Sequence, residues 1–522
     1  MPGTKAFVVK DSHELAHFLK THCIETLWAQ YSTFDGQTRE EQVVMTGRTP
    51  EEVAEFVYNQ NLGVDGSSVG FQKVNSTGLR LAAEENARIG ITEKETAVIQ
   101  VGSFLENGEP FLNDPARINH KAQQALKDKH GITINVGLEL EGFLLKDGKR
   151  LNQDRSNTAY HGRHTLDPQM AKFQQEVATR LVKSGINCQF THNEVATDQF
   201  ELGVLFETAE EKSRTIMLQR QICEQVASEM GLEVDFTPKP FDGINGSGMH
   251  YNFSIQDAEG NNLFKKDKDK DGLNKFSRQI GFSVLEHIQM LQAFANPVYD
   301  SHKRLVEGME APVAGVMGPS NRSCAIRIVG DGNSSRLELR FPDPMANTQL
   351  LSAAIAMVVG EAMDKIKQGI IANPPVTDED VFEMDEAKKK ELGVVQMATG
   401  ENALATALTS LLSEKSTELL TQGGVFDESF FDSYAKERTA AWEKDKAQAQ
   451  KQEAAEPDTD LTEARLRVLT LSNAALSEQV TSQAAEIKSL KQQVGMILEL
   501  NQEFRGLLDS IKDNLEQNLR AA

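Results

Sequence analysis

The chain has 522 residues, of which 39% are hydrophobic and 25% are charged, a composition typical of a globular protein with about two or three domains. Its 77 acidic residues outnumber its 55 lysines and arginines, and the net charge of −22 disfavours binding to nucleic acid or to an anionic membrane. The longest apolar run, residues 353–359, is far shorter than the roughly 20 residues that a membrane span needs. Four well-separated cysteines and an N-terminus without an apolar signal core predict a cytoplasmic protein with reduced thiols.

Short strand patterns alternate with long amphipathic helices up to about residue 440, which predicts an α+β fold rather than a regular βαβ repeat. A first helix is predicted over Pro50–Asn59, and the glycine- and serine-rich residues 64–71 that follow predict a loop. The later predicted helices are Ile118–His130, Pro168–Ser184, Glu207–Met230, Leu273–Ala295 and Thr348–Gln368.

The composition changes after Trp442. Residues 444–460 are rich in lysine, glutamine, alanine and glutamate and predict a solvated linker. Apolar residues then recur as heptads within residues 461–522, for example Val480 and Ile487 at a positions and Leu476 and Leu490 at d positions. This pattern predicts a helical coiled coil that pairs with another subunit or with a partner helix. A single helix packed on its own catalytic domain is the alternative.

Several glutamates stand at strand-like spacing in otherwise apolar segments. Glu139 and Glu141 are two residues apart, so a strand places both on one face, where burial and like charge disfavour ionisation. Glu194 and Glu201 lie in two short strand-like stretches joined by a turn, and Glu338 repeats the strand pattern. A divalent cation would relieve the repulsion, and oxygen ligands with a single imidazole suit Mg²⁺ or Mn²⁺. For any one of these glutamates, a solvated strand edge is the alternative.

Glycines and arginines add a second chemical signal. The glycine-rich residues 243–249 lead into His250, and loop glycines allow backbone amides to approach an anion. Neither a P-loop nor a dinucleotide-binding GxGxxG motif is present. Arginines cluster between Arg304 and Arg340, and guanidinium groups suit carboxylate and phosphate oxygens. Surface ion pairs and a structural histidine are the alternatives. Together the glutamates, arginines and loop indicate metal-assisted phosphoryl transfer.

At these motifs the chain resembles the glutamine synthetase family over about residues 15–443. The matching stretches are DGSS at 65–68, ELE at 139–141, EVA and QFE within 194–201, NGSGMH at 245–250, KRLV at 303–306, EAPV at 310–313, NRS at 321–323 and RLELRFPD at 336–343. The resemblance implies a small N-terminal β-grasp-like domain, residues 1–112, and a large α+β catalytic domain, residues 113–443. It further implies a homo-oligomeric ring whose active sites form between subunits. The coiled coil is not part of the family pattern.

The resemblance also implies roles for individual residues. Two or more Mg²⁺ or Mn²⁺ ions per site would be held by two ligand sets, namely Glu141, Glu194 and Glu201, and Glu139, His250 and Glu338. The substrate contacts would be Asn245, Gly246 and Arg304 for the amino acid, Arg340 for its reacting end, Arg322 and Arg327 for phosphate, and Ser254 for the nucleotide of ATP. Asp65 would reach into the neighbouring subunit's site, and Glu310 would close over the intermediate and help to deprotonate the incoming amine.

One departure from the family pattern concerns the acceptor. In residues 159–168, Tyr160 and a Leu-Asp pair before a helix look more like the branch that joins glutamate to organic amines than like the ammonia-using bacterial enzymes. The sequence therefore predicts an ATP- and metal-dependent ligase that joins glutamate to a primary amine, with Tyr160 among the substrate contacts. A glutamine synthetase that uses ammonia is the alternative. An inactive structural member is a more remote one, because all six implied metal ligands are present.

Overall fold

The computed structural model describes residues 7–72, 78–152, 160, 167–265, 269, 271–370 and 372–455. Residues 1–446 form one compact unit and residues 447–522 a second, of which residues 447–455 are described. The predicted coiled coil, residues 461–522, lies outside the described residues. Within the described ranges, no helix is both long and apolar enough to cross a membrane.

The N-terminal part contains two small sheets and two helices. Its elements are β1 (Phe7–Val9), α1 (Ser12–Thr21), β2 (Thr26–Ser32), β3 (Thr38–Val43), α2 (Pro50–Tyr58), β4 (Leu62–Asp65), β5 (Gly78–Ala82), β6 (Ala87–Glu93), β7 (Thr96–Gln100) and β8 (Gly102–Leu105). The five-stranded sheet has the order β1-β6-β7-β2-β3, and the three-stranded sheet has the order β4-β5-β8. The predicted first helix is confirmed. It begins after Thr49, which forms a capping box with Glu52.

A ten-stranded sheet forms the centre of the larger part, and it positions the site. Its strands are β9 (Thr133–Lys146), β10 (Lys149–Arg150), β11 (Cys188–Asn193), β12 (Gln199–Val204), β13 (Glu207–Thr208), β14 (Glu233–Asp235), β15 (Met249–Gln256), β17 (Met317–Pro319), β18 (Ile326–Val329) and β19 (Arg336–Leu339); β16 (Ala314–Gly315) and β20 (Val395–Gln396) form a separate pair. The main path runs β11-β12-β9-β15-β19-β18-β17, and β10, β13 and β14 pair with β9. The long strand β9 thus pairs with five of the nine other strands.

Besides these strands, the described residues after β8 form a series of helices. They are α3 (Pro115–His130), α4 (Pro168–Lys183), α5 (Ala209–Glu229), α6 (Lys275–Glu286), α7 (Ile288–Ala295), α8 (Tyr299–Arg304), α9 (Thr348–Lys367), α10 (Glu386–Leu392), α11 (Ala403–Leu411), α12 (Glu414–Thr421) and α13 (Glu428–Ala455). Helix α9 is buried over most of its length and contacts α3, α5, α6 and α7. The other predicted helices are confirmed to within a few residues, except that Leu273–Ala295 forms two helices, α6 and α7.

The segment predicted as a linker is helical over its described residues, 444–455. Helix α13 begins at Glu428 and continues to Ala455, although the linker was predicted to begin at residue 444. The same lysine, glutamine, alanine and glutamate residues that keep this segment solvated are also good helix formers.

Candidate active site

The candidate site lies on one face of the ten-stranded sheet, where β12, β9, β15 and β19 are antiparallel neighbours. Glu201 lies opposite Glu141, and His250 lies opposite Glu139. Glu338 lies on the next strand, opposite the residue two positions beyond His250. Since side chains alternate between the two faces of a sheet, the register places all five side chains on the same face.

The first cluster consists of Glu139, His250 and Glu338, whose possible ligand atoms all lie within 4.8 Å of one another. His250 Nδ1 is 3.0 Å from Glu139 Oε2 and 3.8 Å from Glu338 Oε1. Burial lowers the pKa of His250 well below its ordinary value, and the charge of Arg340 lowers it further. The neutral imidazole can therefore offer a lone pair to a metal ion.

The second cluster consists of His192, Glu194 and Glu201, with the same spacing of possible ligand atoms. His192 Nε2 is 3.3 Å from Glu201 Oε1, and His192 Nδ1 is 3.6 Å from Glu194 Oε1. Burial raises the pKa of Glu201 to about 7, with the neighbouring glutamates adding to the rise and His192 opposing it. His192 was not predicted from the sequence. Its position two residues before Glu194, in the same strand-like stretch of the sequence, was the signal that could have identified it.

Glu141 lies beside both clusters. Its Oε1 is 4.0 Å from His250 Nδ1, and its Oε2 accepts hydrogen bonds from the Gly248 N–H at 2.8 Å and from Gln199 Nε2 at 3.1 Å. Burial raises the pKa of Glu141 well above its ordinary value, and the two glutamates of the second cluster add to this effect. That Glu141 shares a cation with these two glutamates stays a prediction.

Glu338 is held by two arginines. It is almost completely buried, and it accepts hydrogen bonds from Arg340 Nη1 at 2.7 Å and from Arg327 Nη1 at 3.0 Å. Arg340 also donates to the backbone carbonyl oxygens of Glu310 at 2.9 Å and Arg322 at 3.0 Å. Arg340 therefore ties one cluster glutamate to the two loops that line the cavity.

The rim of the site carries more exposed side chains. The Arg322 side chain is 51% exposed, and its Nη1 is 3.9 Å from Glu310 Oε2. Glu310 has a φ of 56°, in the left-handed region. Tyr160 is hydrogen-bonded to Arg322, and its ring meets the His192 imidazole edge-on at 5.8 Å. These groups remain accessible to a substrate that enters the cavity.

Asn245, Gly246 and Arg304 lie together in the cavity wall. A side chain at residue 246 would place its Cβ 2.3 Å from the carbonyl oxygen of Pro238, so this close approach of two backbone segments requires glycine. Arg304 is buried and donates to two backbone carbonyl oxygens at 3.0 and 3.1 Å. Its guanidinium is therefore held in a fixed orientation.

One cavity contains fourteen of the sixteen residues predicted for the site. They are Glu139, Glu141, Tyr160, Glu194, Glu201, Asn245, Gly246, His250, Arg304, Glu310, Arg322, Arg327, Glu338 and Arg340. The other two are not in its lining. Asp65 is exposed at the end of β4, where it accepts hydrogen bonds from the backbone N–H and the hydroxyl of Ser67. Ser254 is buried on β15, four residues beyond His250.

Two imidazole–carboxylate clusters beside arginines on a sheet face have the chemistry of a metal-dependent phosphoryl-transfer enzyme. The chain belongs to the glutamine synthetase family, because residues 112–456 match the family described as "Glutamine synthetase, catalytic domain". The glutamine synthetase of Bradyrhizobium diazoefficiens is 32% identical, over 73% of this chain and 86% of its own length. That of Pyrococcus horikoshii is also 32% identical, over 69% of this chain and 79% of its own length.

Solved structures show the same fold. A GmaS/ADP complex matches with a TM-score of 0.69 and 23% identity, over 83% of this chain and 96% of the other. The glutamine synthetase of Plasmodium falciparum matches with a TM-score of 0.69 and 20% identity, over 85% and 98%. The protein therefore has a glutamine synthetase-like fold of mixed α and β content. Its membership of the family, shown by the match to the catalytic domain, makes it an ATP-dependent carbon–nitrogen ligase. Its family uses ATP and divalent metals.

Proposed function

We propose that the protein phosphorylates the γ-carboxylate of glutamate with ATP and joins the γ-glutamyl phosphate to a primary amine, giving a γ-glutamylamide. The observation that carries this proposal is a single cavity in which six glutamates and two histidines face four arginines. The acidic groups suit divalent cations, and the guanidinium groups suit phosphate oxygens. Such a site can hold a nucleotide and a carboxylate side by side despite their like charges.

The carboxylate must be activated because it is a poor electrophile. Phosphorylation gives an acyl phosphate with a good leaving group, which the amine then displaces. Two or more Mg²⁺ or Mn²⁺ ions, held by the first and second clusters together with Glu141, would neutralise phosphate charge when bound. Arg322 and Arg327 would stabilise the charge of the transferring group. Glu310, which lies 3.9 Å from Arg322 at the rim, would take the proton of the attacking amine.

Two buried arginines support the proposed binding of glutamate. Arg304, fixed by its hydrogen bonds to backbone carbonyl groups, would hold the amino acid with Asn245 and Gly246. Arg340 would contact the reacting end. Arg340 donates hydrogen bonds to Glu338 and to two backbone carbonyl oxygens, so substrate contact requires it to share or exchange one of them. Ser254, further along β15, would contact the nucleotide.

We also propose a homo-oligomeric ring with sites between subunits. In support, Asp65 is exposed at the end of β4 and lies outside the cavity of its own chain, as a contribution to a neighbour's site would require. The proposal also includes two domain boundaries, one between residues 112 and 113 and one between residues 443 and 444. It further includes the pairing of the coiled coil with another subunit or a partner helix, and a cytoplasmic location.

The acceptor has two candidates. Tyr160 in the cavity wall supports an organic amine, because the segment around it is the one that departs from the ammonia-using pattern. The relatives that cover most of this chain are named glutamine synthetases, which supports ammonia. An inactive structural member is disfavoured, because all six implied metal ligands lie in one cavity.

An acceptor screen tests the proposal. The full chain is incubated with glutamate, ATP and Mg²⁺ or Mn²⁺, and phosphate release is measured with ammonia and with alkyl, aryl and polyamine acceptors. We expect a higher kcat/KM for an organic amine than for ammonia, with apolar substituents gaining about 0.8 kcal/mol per buried methylene. An equal or higher kcat/KM for ammonia would assign glutamine synthetase activity instead. No acceptor-dependent phosphate release would favour the inactive member. Mass spectrometry of the product identifies the amide bond.

A further inference from the structure

His192 lies on the edge strand β11 of the site face, and the role of its imidazole is not part of the proposed mechanism. The register places it opposite Glu201, and Glu194 lies two residues further along the chain. The ring is oriented from two sides: it stacks on Phe190 at 5.8 Å with 7° between the planes, and Tyr160 meets it edge-on at 5.8 Å. The imidazole is therefore presented to the two glutamates in a defined orientation.

The hydrogen bonding of the ring defines which nitrogen can bind a cation. Nδ1 lies 3.3 Å from the carbonyl oxygen of Asn193, and because a carbonyl oxygen can only accept, this contact is a hydrogen bond when Nδ1 carries the proton. Nε2 then directs its lone pair towards Glu201 Oε1, 3.3 Å away. Without a cation, a proton on either group completes this contact as a hydrogen bond, and a divalent cation between the two groups would take the place of that proton. A histidine that binds a metal through one nitrogen and donates from the other to a carbonyl group has this arrangement.

Glu141 has one carboxylate oxygen already engaged in hydrogen bonds, which limits what it can offer to a cation at the second cluster. Its Oε2 already accepts hydrogen bonds from Gly248 and Gln199, which leaves Oε1 as the oxygen without these two donors. The ligand atoms of His192, Glu194 and Glu201, by contrast, all lie within 4.8 Å of one another. A cation bound at β11 and β12 would thus have an imidazole nitrogen within its coordination sphere.

We infer that His192 is a direct ligand of a divalent cation, together with Glu194 and Glu201, so that each of the two clusters supplies one imidazole. This inference rests on the metal dependence of the proposed function and identifies a ligand that the family resemblance did not imply. A mixed nitrogen and oxygen site favours Mn²⁺ over Mg²⁺, because imidazole suits transition metals whereas Mg²⁺ prefers oxygen ligands and keeps its water. His192 is therefore expected to make the second cluster more selective for Mn²⁺ than a site formed by Glu194 and Glu201 alone.

Electron spin-echo envelope modulation of bound Mn²⁺ tests the inference without turnover. The tag-free full chain is loaded with Mn²⁺ in a buffer without nitrogen ligands, and the ¹⁴N modulation of coordinated imidazole is recorded. The variants are His192→Asn, His250→Ala and the double variant, with His120→Asn as a control because His120 pairs with Glu210 outside the cavity. We expect ¹⁴N modulation in both single variants and none in the double variant. Modulation that is absent from His250→Ala would overturn the inference.

Titration calorimetry provides a second readout. His192→Asn should weaken the binding of one Mn²⁺ by at least about tenfold and should change Mg²⁺ affinity less. About tenfold is the lower end of the losses in metal affinity that follow mutation of the residues hydrogen-bonded to metal ligands. His192→Gln serves if the asparagine variant does not fold, as judged by circular dichroism. Unchanged Mn²⁺ affinity in a folded variant would contradict the inference. Neither method requires catalysis. A protein that binds Mn²⁺ through His192 but forms no amide would therefore refute the proposed function and leave the inference about His192 intact.

Discussion

Replacement of Glu338 should separate the metal role of the site from its structural role. The carboxylate is 2% exposed, lies in the first cluster, and accepts hydrogen bonds from Arg340 at 2.7 Å and Arg327 at 3.0 Å. Glu338→Ala removes one cation ligand and also leaves the buried guanidinium of Arg340 without its carboxylate. Glu338→Gln keeps the volume and one acceptor oxygen while it removes the charge.

The two effects have different magnitudes. Removing one partner of a buried ion pair costs about 3–5 kcal/mol of folding free energy, an upper bound here because backbone carbonyl groups still accept from Arg340. Loss of a main electrostatic stabiliser of the transition state costs at least about 100-fold in rate, or about 2.7 kcal/mol. We therefore expect both variants to lose at least about 100-fold in kcat/KM. The alanine variant should also lose more stability than the glutamine variant.

Both quantities can be measured on the full chain. Amide formation at saturating Mg²⁺ or Mn²⁺ gives kcat/KM, urea denaturation gives the free energy of unfolding, and calorimetry gives metal affinity. Glu386→Gln is the matched control, because the Glu386 side chain is 90% exposed and pairs with Lys389 at the surface. A folded Glu338→Gln protein with control-like activity and metal affinity would refute the ligand assignment. Full activity in excess chelator would refute metal dependence altogether.

Two further predictions concern stability and assembly. Burial opposes the ionisation of Glu361, but its hydrogen bond with His287 and the charge of Lys365 lower its pKa from 4.5 to about 2. The ionised carboxylate therefore stabilises the fold above pH 4.5, and this contribution is lost as the pH falls towards 2. Glu361→Gln should therefore lower the free energy of unfolding at pH 7, with a difference from wild type that narrows below pH 4.5; equal urea midpoints at pH 7 would contradict this. A chain that ends at Ala455 keeps α13 and should retain ligase activity while its assembly mass falls or a partner contact is lost. Light scattering measures the mass of the assembly. Inactive monomers would show that the coiled coil is part of the ring, whereas unchanged mass and partners would show that the helix packs on its own subunit.

Local sequence patterns predicted much of the fold and the face of each site strand. The period of two placed Glu139 and Glu141 together on what proves to be β9, and two stretches with a turn predicted the hairpin that carries Glu194 and Glu201. Such patterns depend only on neighbouring residues. The choice of neighbouring strands in the sheet does not depend on local sequence alone. Strand β15 pairs with β9 across more than a hundred residues, and the composition of neither strand specifies that partner.

Tertiary contacts explain the main difference in the helices. The apolar period continues from α6 into α7, and neither glycine nor proline marks the break at His287. There the backbone N–H bonds to the carbonyl oxygens of Ser283 and Val284, and the imidazole Nε2 lies 3.1 Å from Glu361 Oε2 on α9. A kink that coincides with a contact to a distant helix leaves no local signal, so the sequence predicted one continuous helix.

The site brings together buried carboxylates that repel one another when they are ionised. Glu141 and Glu201 are buried beside other carboxylates, and their raised pKa values show that ionisation is unfavourable in the absence of a counter-charge. The arginines offset part of this charge, but Arg340 and Arg327 are directed at Glu338, in the first cluster. The second cluster contains only the imidazole of His192 as a possible internal cation. A bound divalent cation would therefore stabilise the folded site itself as well as the phosphate that reacts there.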